Sequence, residues 1–201
     1  ESPHEQGVIW TATDDGVLQL TKNGGTTWEL VTPKNLPETL INSIEVSPHD
    51  KATAYIATTR YKFNDYRPAI YKTTNYGKSW VKISSGIPYG AYTRVIREDT
   101  QRKNLLFAGT ELGMYISWNG GIIWKPFQLN LPITPISDLK ISHNDLTIST
   151  MGRSFWVLDD LGLLRQFEGS KTTFKLLTPE DAIIGNWSSQ LNYSSENFSG
   201  A

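Results

Sequence analysis

The stretch TTNYGKSW, residues 73–80, decides how this chain is read, because the chain repeats it. Residues 21–28 read TKNGGTTW and residues 117–124 read SWNGGIIW, so three copies share the frame Ser/Thr-x-Asn-x-Gly-x-x-Trp. The frame sets Asn23, Gly25 and Trp28 in register with Asn75, Gly77 and Trp80, and with Asn119, Gly121 and Trp124. A fourth copy, LDDLGLLR at 158–165, keeps Asp160 and Gly162 but carries Arg165 where the tryptophan stood. From Asn23 to Asn75, Asn119 and Asp160 the steps are 52, 44 and 41 residues.

The flanks repeat as well. IEVSPHDKATAYIATT (44–59) aligns with ESPHEQGVIWTAT (1–13), VIREDTQRKNLLFAGT (95–110) and LKISHNDLTIST (139–150). The runs VLQLT, AIYKTT, GMYIS and FWVLD precede the turn phrase, and TWELV, SWVKI, IWKPF and LLRQF close it. Apolar residues alternate with period two and no window keeps a period of 3.6, so these runs read as strands. Four short antiparallel strands per unit of roughly 40–45 residues is the signature of a propeller blade. The expected fold is therefore all-β, a propeller of four-stranded antiparallel blades, with about four blades over residues 1–168. Blade limits fall near about 40, 88 and 132, and residues 169–201 match no blade and read as a linker or the start of a following region. Its sequons at Asn186, Asn192 and Asn197 sit in a Ser/Asn-rich, linker-like composition. ESPH corresponds only to the end of an innermost strand, so four blades read as a slice of a larger ring, and the protein is expected to extend beyond both ends.

Composition agrees and excludes much else. Charged residues are 19% of the 201 and the formal charge is −1 with no basic stripe, which argues against nucleic acid as a partner. No apolar run is long enough to span a membrane, and no charged-then-apolar leader opens the sequence. Cysteine is absent, and His4, His49 and His143 are far apart, so neither a metal site nor a cofactor is expected. The three histidines fall in turns and read as solvated.

Within the phrase, Gly takes a positive φ, Asn bonds nearby backbone amides, and Trp packs against the next blade. One amide oxygen per turn is far short of a calcium cage. The phrase itself is structural.

The frame resembles the Asp-box (BNR) repeat of sialidases, sortilin-type propellers and xyloglucan-cleaving glycosidases, with Asn in the usual Asp position. TATDDGVLQLTKNGGTTWELVTP, RPAIYKTTNYGKSWVKISSGIP, FAGTELGMYISWNGGIIW and GRSFWVLDDLGLLRQ resemble a bacterial family of BNR-repeat, sortilin-like glycosyl hydrolases over residues 1–168. The resemblance implies a longer, exported and hence extracytoplasmic protein, whose active site is not the box. It implies a glycoside hydrolase or carbohydrate-binding propeller, or alternatively a non-catalytic protein- or peptide-binding scaffold.

Chemistry is then expected on the face opposite the boxes, among the turns TDDG (13–16), TTRYKFNDYRPA (58–69), TELG (110–113) and TMGRS (150–154). In that register Asp14, Arg60, Glu111 and Met151 each follow the same threonine, with Arg153 two beyond Met151. The insertion in the second unit adds Asp65, Tyr66 and Arg67. Carboxylates, guanidiniums and a phenol suit a polyhydroxy or anionic ligand, which nominates Asp15, Arg60, Arg67 and Arg153 for binding. Glycoside hydrolysis needs two carboxyls, and Asp14 or Asp15 with Glu111 is the pair the register offers. The xyloglucan-cleaving propellers carry a catalytic Asp in a T-D-x-G turn matching Asp14, with its partner on a second propeller. TRVIRED (93–99) does not reproduce the sialidase Arg-Ile-Pro phrase. Two bland alternatives stand beside these: T-D-D-G is also a good type I′ hairpin turn, and Arg153 can pair with Asp159 or Asp160. Arg94 and Arg97 on an inner strand either hold a ligand in the channel or are neutralised by Glu98 and Asp99.

Overall fold

The computed structural model describes residues 1–167, 176–179 and 181; beyond those few, the expected linker 169–201 lies outside the described residues. Fourteen strands form four antiparallel sheets. The first holds β1 (Ile9–Ala12), β2 (Leu18–Thr21) and β3 (Glu29–Leu30). The second orders β4 (Leu40–Val46), β5 (Ala54–Arg60), β6 (Asp65–Thr73) and β7 (Val81–Lys82). The third orders β8 (Thr93–Glu98), β9 (Leu106–Thr110), β10 (Gly113–Ser117) and β11 (Lys125–Pro126). The fourth holds β12 (Ile136–Ser142), β13 (Asp145–Thr150) and β14 (Phe155–Leu158). The first sheet thus lacks an inner strand, as ESPH predicts.

The fourth sheet departs from expectation. LLRQF was read as an outer strand, but Gly162–Gln166 form a short helix, α1. Its Arg165 does not fill a tryptophan site. Instead it bonds Asp99 at 2.8 Å and Asn144 at 2.6 Å, while Arg102 Nη1 donates to the carbonyls of Leu164, Arg165 and Phe167. Those charge-assisted bonds satisfy the orphan carbonyls at the end of the helix.

Three buried clusters hold the sheets together, one at each junction. Trp10, Leu18, Leu20, Val31 and Ile56 fill the first; Tyr55, Ile70, Ile96, Leu106 and Trp124 the second; Phe107, Met114, Ile116, Leu139 and Ile148 the third. The eight-residue phrase builds these junctions. Thr73 Oγ1 donates to Asn75 Oδ1 at 3.0 Å and accepts from Gly77 N at 3.0 Å, while Asn75 Oδ1 accepts from Ser79 N at 2.9 Å. Thr21/Asn23/Gly25/Thr27 and Ser117/Asn119/Gly121/Ile123 make the same set. Tyr76 and Gly77 have φ of 56° and 78°, a backbone shape that favours glycine. A Cβ on Gly77 would stand 2.6 Å from Val31, and one on Gly121 2.4 Å from Ile83, so these glycines also let neighbouring sheets touch.

The tryptophans face the preceding sheet, not the next one as expected. Trp80 Nε1 donates to Val31 O at 2.8 Å, and Trp124 Nε1 donates to Ile83 O at 2.5 Å. Trp124 is 2% exposed, whereas Trp28, with no sheet before it among the described residues, is 41% exposed. Two of the histidines are also not merely solvated. His4 Nε2 donates to Ser47 O at 2.9 Å and His49 Nε2 to Asp99 O at 2.7 Å, each tying one S-P-H turn to the next sheet.

Candidate functional site

The antiparallel order sends the turns β1–β2, β5–β6, β9–β10 and β13–β14 to one end of the sheets, together with the crossings between sheets. The repeated phrase and the S-P-H turns lie at the other, where Tyr76 N bonds Ala52 O and Gly120 N bonds Asn104 O. The site residues nominated from sequence therefore share one face, which we call the mouth.

Each complete inner strand carries a bulge next to this face, between Ile41 and Ser43, Thr93 and Val95, and Ile136 and Asp138. A bulge re-aims a side chain. In the third sheet that residue is Arg94, whose Nε and Nη2 reach Glu111 Oε2 at 2.8 and 2.6 Å, and whose guanidinium lies 5.4 Å over the Tyr92 ring. Glu111 is thus engaged by Arg94, and Arg94 is neutralised from the β9–β10 turn. Arg97 points elsewhere, binding Asp138 at 2.7 Å, Ser43 at 2.9 Å and Leu139 O at 2.8 Å. Neither arginine pairs with Glu98 or Asp99.

The bulges also correct the register. Thr58, Thr110 and Thr150 pair with the equivalent inner-strand residues Ile41, Thr93 and Ile136. Thr59, not Arg60, therefore stands where Glu111 stands. Arg60 bonds Asp65 Oδ2 at 2.9 Å and Glu38 O at 2.9 Å, and Arg67 bonds the same carboxylate at 2.7 Å. The Arg67 bonds, seconded by Arg60, hold the Asp65 carboxyl well below its ordinary pKa. This clasp closes the insertion, whose residues Tyr61–Phe63 form one 3-10 turn.

At the first sheet, Asp14 is exposed and has no hydrogen-bond or ion-pair partner among the described residues. Asp15 accepts a short hydrogen bond from Thr13 Oγ1, which lowers its pKa. Only Gly16, at φ 94°, is left-handed in this turn, so it is a three-residue loop closing on Thr13 and Val17 rather than type I′. Arg153 is exposed and makes no ion pair with Asp159 or Asp160; its carbonyl accepts from Trp156 Nε1 at 2.8 Å.

What the sequence reading missed is aromatic. Tyr61 stacks on Tyr92 at 5.6 Å, Tyr66 lies 6.1 Å from Tyr92, and Tyr89 meets Tyr66 edge-on at 6.2 Å. Tyr61 and Tyr89 are exposed, Tyr89 at 68%. The rings run in the order Tyr61–Tyr92–Tyr66–Tyr89, with Arg94 over Tyr92. The signal was the density of tyrosine in RYKFNDYRP and PYGAYTR, two segments that only the fold brings together. Asp14 and Glu111 sit on the first and third sheets, with this row on the second sheet and the crossing that follows it. Among the described residues no His, Asp and Glu cluster could hold a metal, and no helix is long and apolar enough to cross a membrane.

Solved structures share this arrangement of sheets. The fold is a β-propeller. The structure of YCF48 bound to D1 peptide matches with a TM-score of 0.56 and 19% identity, over 76% of this chain and 48% of that one. The GH74 xyloglucanase from Xanthomonas campestris matches at 0.60 and 14%, over 78% and 28%. The Niastella koreensis GH74 enzyme matches at 0.61 and 19%, over 80% and 27%. This chain therefore spans about half of the YCF48 structure and just over a quarter of each GH74 enzyme. No family model and no curated protein matches the sequence.

Proposed function

We propose that the mouth is the ligand-binding face of a carbohydrate-active propeller of the BNR, sortilin-like kind, acting outside the cytoplasm. The observation that carries this reading is the row Tyr61–Tyr92–Tyr66–Tyr89, flanked by the Arg60–Asp65–Arg67 clasp and the Arg94–Glu111 pair. Flat rings offer their faces to the C–H side of sugar rings, and guanidinium–carboxylate pairs offer donors and acceptors to vicinal hydroxyls. The likeness to two GH74 enzymes supports the reading through the fold.

Binding is better supported than hydrolysis by this chain alone. Glycoside cleavage needs two carboxyls within about 5–9.5 Å of one another across the scissile bond. Glu111 is engaged twice by Arg94, which suits it to positioning rather than proton donation. Asp14, unlike Glu111, has no partner among the described residues, and we propose it as the catalytic carboxylate, with a second carboxyl supplied from outside these residues. Titration of neutral xyloglucan oligosaccharides into the chain and its Tyr89→Ala variant tests the reading. Tyr89 is exposed, so the variant should fold. Binding to the parent and at least tenfold weaker binding to the variant is the expected result. Absence of glycan binding together with capture of a peptide at the same rings would replace this reading with the peptide-binding one. For Asp14, unchanged glycan turnover in Asp14→Asn would remove it from the mechanism.

A further inference from the structure

Beside the Arg60–Asp65–Arg67 clasp lies a cleft of about 350 Å³ lined by Arg67, Pro68, Lys82, Ser84 and Ser85. It is open to solvent and falls at the lower end of the ligand-pocket range of roughly 300–1,000 Å³. Its walls come from the start of β6, the end of β7 and the first residues of the crossing to the third sheet. Tyr89 and Tyr71 lie within electrostatic range of the Arg67 guanidinium. Arg67 follows Tyr66 in the chain, and Tyr66 meets Tyr89 edge-on, so the cleft adjoins the row.

The donors here outnumber the acceptors. Lys82 has no hydrogen-bond or ion-pair partner among the described residues. Ser84 Oγ accepts from Ile70 N at 2.8 Å, so its own hydroxyl proton is free to point into the cleft. Ser85 contributes its carbonyl to Trp124 N, and its hydroxyl has no partner among the described residues. The one carboxylate nearby, Asp65, is already shared between Arg60 and Arg67. Two guanidiniums and an ammonium thus face a single negative charge. Desolvation first, and then the charge of Arg67, push the Lys82 ammonium below its ordinary pKa against the opposing pull of Asp65.

The repeat does not require this chemistry. Lys82 pairs with Tyr71 as Leu30 pairs with Gln19 and Pro126 with Tyr115, so the same strand position is apolar in both neighbouring sheets. Ser84 likewise stands where Thr32 and Gln128 stand, each taking a backbone N–H. A basic residue here is a departure from the two neighbouring sheets.

We propose that this cleft binds the anionic group of an acidic carbohydrate, a uronate carboxylate or a sulfate ester, whose neighbouring sugar lies on Tyr89. An oxyanion would satisfy Lys82, Arg67 and both serine hydroxyls at once, and charge-assisted bonds of that kind are the strong ones. A sugar fits the adjoining exposed phenol better than an acidic peptide side chain, which carries no second flat apolar face. The inference rests on the glycan-binding reading of the mouth.

Calorimetric titration of the chain with a galacturonate oligosaccharide, a sulfated oligosaccharide and a neutral xyloglucan oligosaccharide tests it, with an acidic peptide as a fourth probe. One of the acidic sugars should bind at least tenfold tighter than the neutral one, and which one identifies the anion. Raising the salt should erode that advantage as the Debye length falls from about 30 Å at 0.01 M to about 8 Å at 0.15 M. Lys82→Leu, which installs the side chain found at the equivalent position of the first sheet, should cost about tenfold against the acidic sugar and nothing against the neutral one. Arg67→Gln should also weaken binding of the acidic sugar, but Arg67 belongs to the clasp of the mouth as well, so Lys82→Leu is the variant that separates acidic from neutral binding. Equal binding of acidic and neutral sugars, an unaltered Lys82→Leu titration, or tighter binding of the acidic peptide would each overturn the proposal. If Tyr89→Ala abolishes neutral binding while the cleft variants change nothing, the mouth reading survives and this one falls. If no sugar binds any form, both fall.

Discussion

Replacing Trp124 by alanine tests the claim that the repeated tryptophan clamps each sheet to the one before it. Trp124 is 2% exposed and donates to Ile83 O, whereas the equivalent Trp28 is 41% exposed and has no carbonyl partner among the described residues. A tryptophan offers about 200 Å² to burial, so the extra 39 percentage points buried at Trp124 amount to about 80 Å². At about 25 cal/mol per Å² that is about 2 kcal/mol. Loss of the indole donor leaves a buried carbonyl unpaired and adds about 1 kcal/mol. The Trp124→Ala chain should therefore be about 3 kcal/mol less stable than Trp28→Ala. With a urea slope of about 2 kcal/mol/M, the two midpoints should differ by roughly 1.5 M. Tryptophan fluorescence and far-ultraviolet dichroism followed together would report whether the transition also broadens, as weakening one junction of a repeat array should cause. Coincident midpoints, or a larger loss at Trp28, would refute the clamp.

Burial pushes the Glu45 carboxyl up to about 7 against the opposing pull of Arg97 at 3.7 Å, with Glu98 and Lys140 as its other charged neighbours. The folded state then holds a proton that the unfolded chain has released, so stability is highest below about pH 4.5 and falls as pH rises through 7. Glu45→Gln should match the parent at pH 4.5 and exceed it by about 2 kcal/mol at pH 8, read from urea midpoints at the two pH values. In the repeated turn, Asn75→Asp keeps the Oδ acceptor for Thr73 and Ser79 and should be close to neutral, whereas Asn75→Ala should cost about 1–2 kcal/mol in thermal or urea unfolding. Asp65→Asn removes the carboxylate that joins Arg60 to Arg67, so trypsin at pH 8 should cut after exposed Lys62 faster than in the parent. The clasp depends on the ionised carboxylate, whose pKa is depressed, so that protection is present at neutral pH and is lost only as the solution becomes strongly acidic.

The fold was legible because the residues that spell it are the ones folding demands. Asn75 and Gly77 are fixed by a turn with two successive left-handed residues, and Gly77 also by the approach of Val31, so the phrase recurs wherever that geometry recurs. Two features broke the reading for identifiable reasons. LLRQF alternates well enough to pass as a strand, but Arg165 gains a buried carboxylate at Asp99 and Arg102 caps the carbonyls beyond it, so a helix wins. The one-residue slip at Arg60 came from two adjacent threonines, Thr58 and Thr59, which only the strand pairing distinguishes. Trp28, Trp80 and Trp124 were recognised as anchors, but the direction in which they point is a property of blade order that alternation cannot encode.

The candidate site was half legible for the opposite reason. Asp14, Arg60 and Glu111 drew notice because the frame aligned them, yet alignment selects positions that every sheet possesses, and two of these three are tied into local ion pairs. Binding chemistry lies where one sheet departs from the others. The second sheet alone has the Tyr61–Phe63 turn, a lysine at a strand position that is Leu30 or Pro126 in its neighbours, and exposed Tyr89 on the crossing that follows. None of these stabilises the junctions: Tyr89 is largely in water, and Lys82 makes no ion pair among the described residues. Surface residues free of a folding role can be substituted at little cost, so Lys82→Leu and Tyr89→Ala should leave the unfolding free energy within about 0.5 kcal/mol of the parent while changing ligand binding. A loss of stability from either substitution, matching its loss of binding, would return these residues to the scaffold and remove the case that the second sheet carries the site.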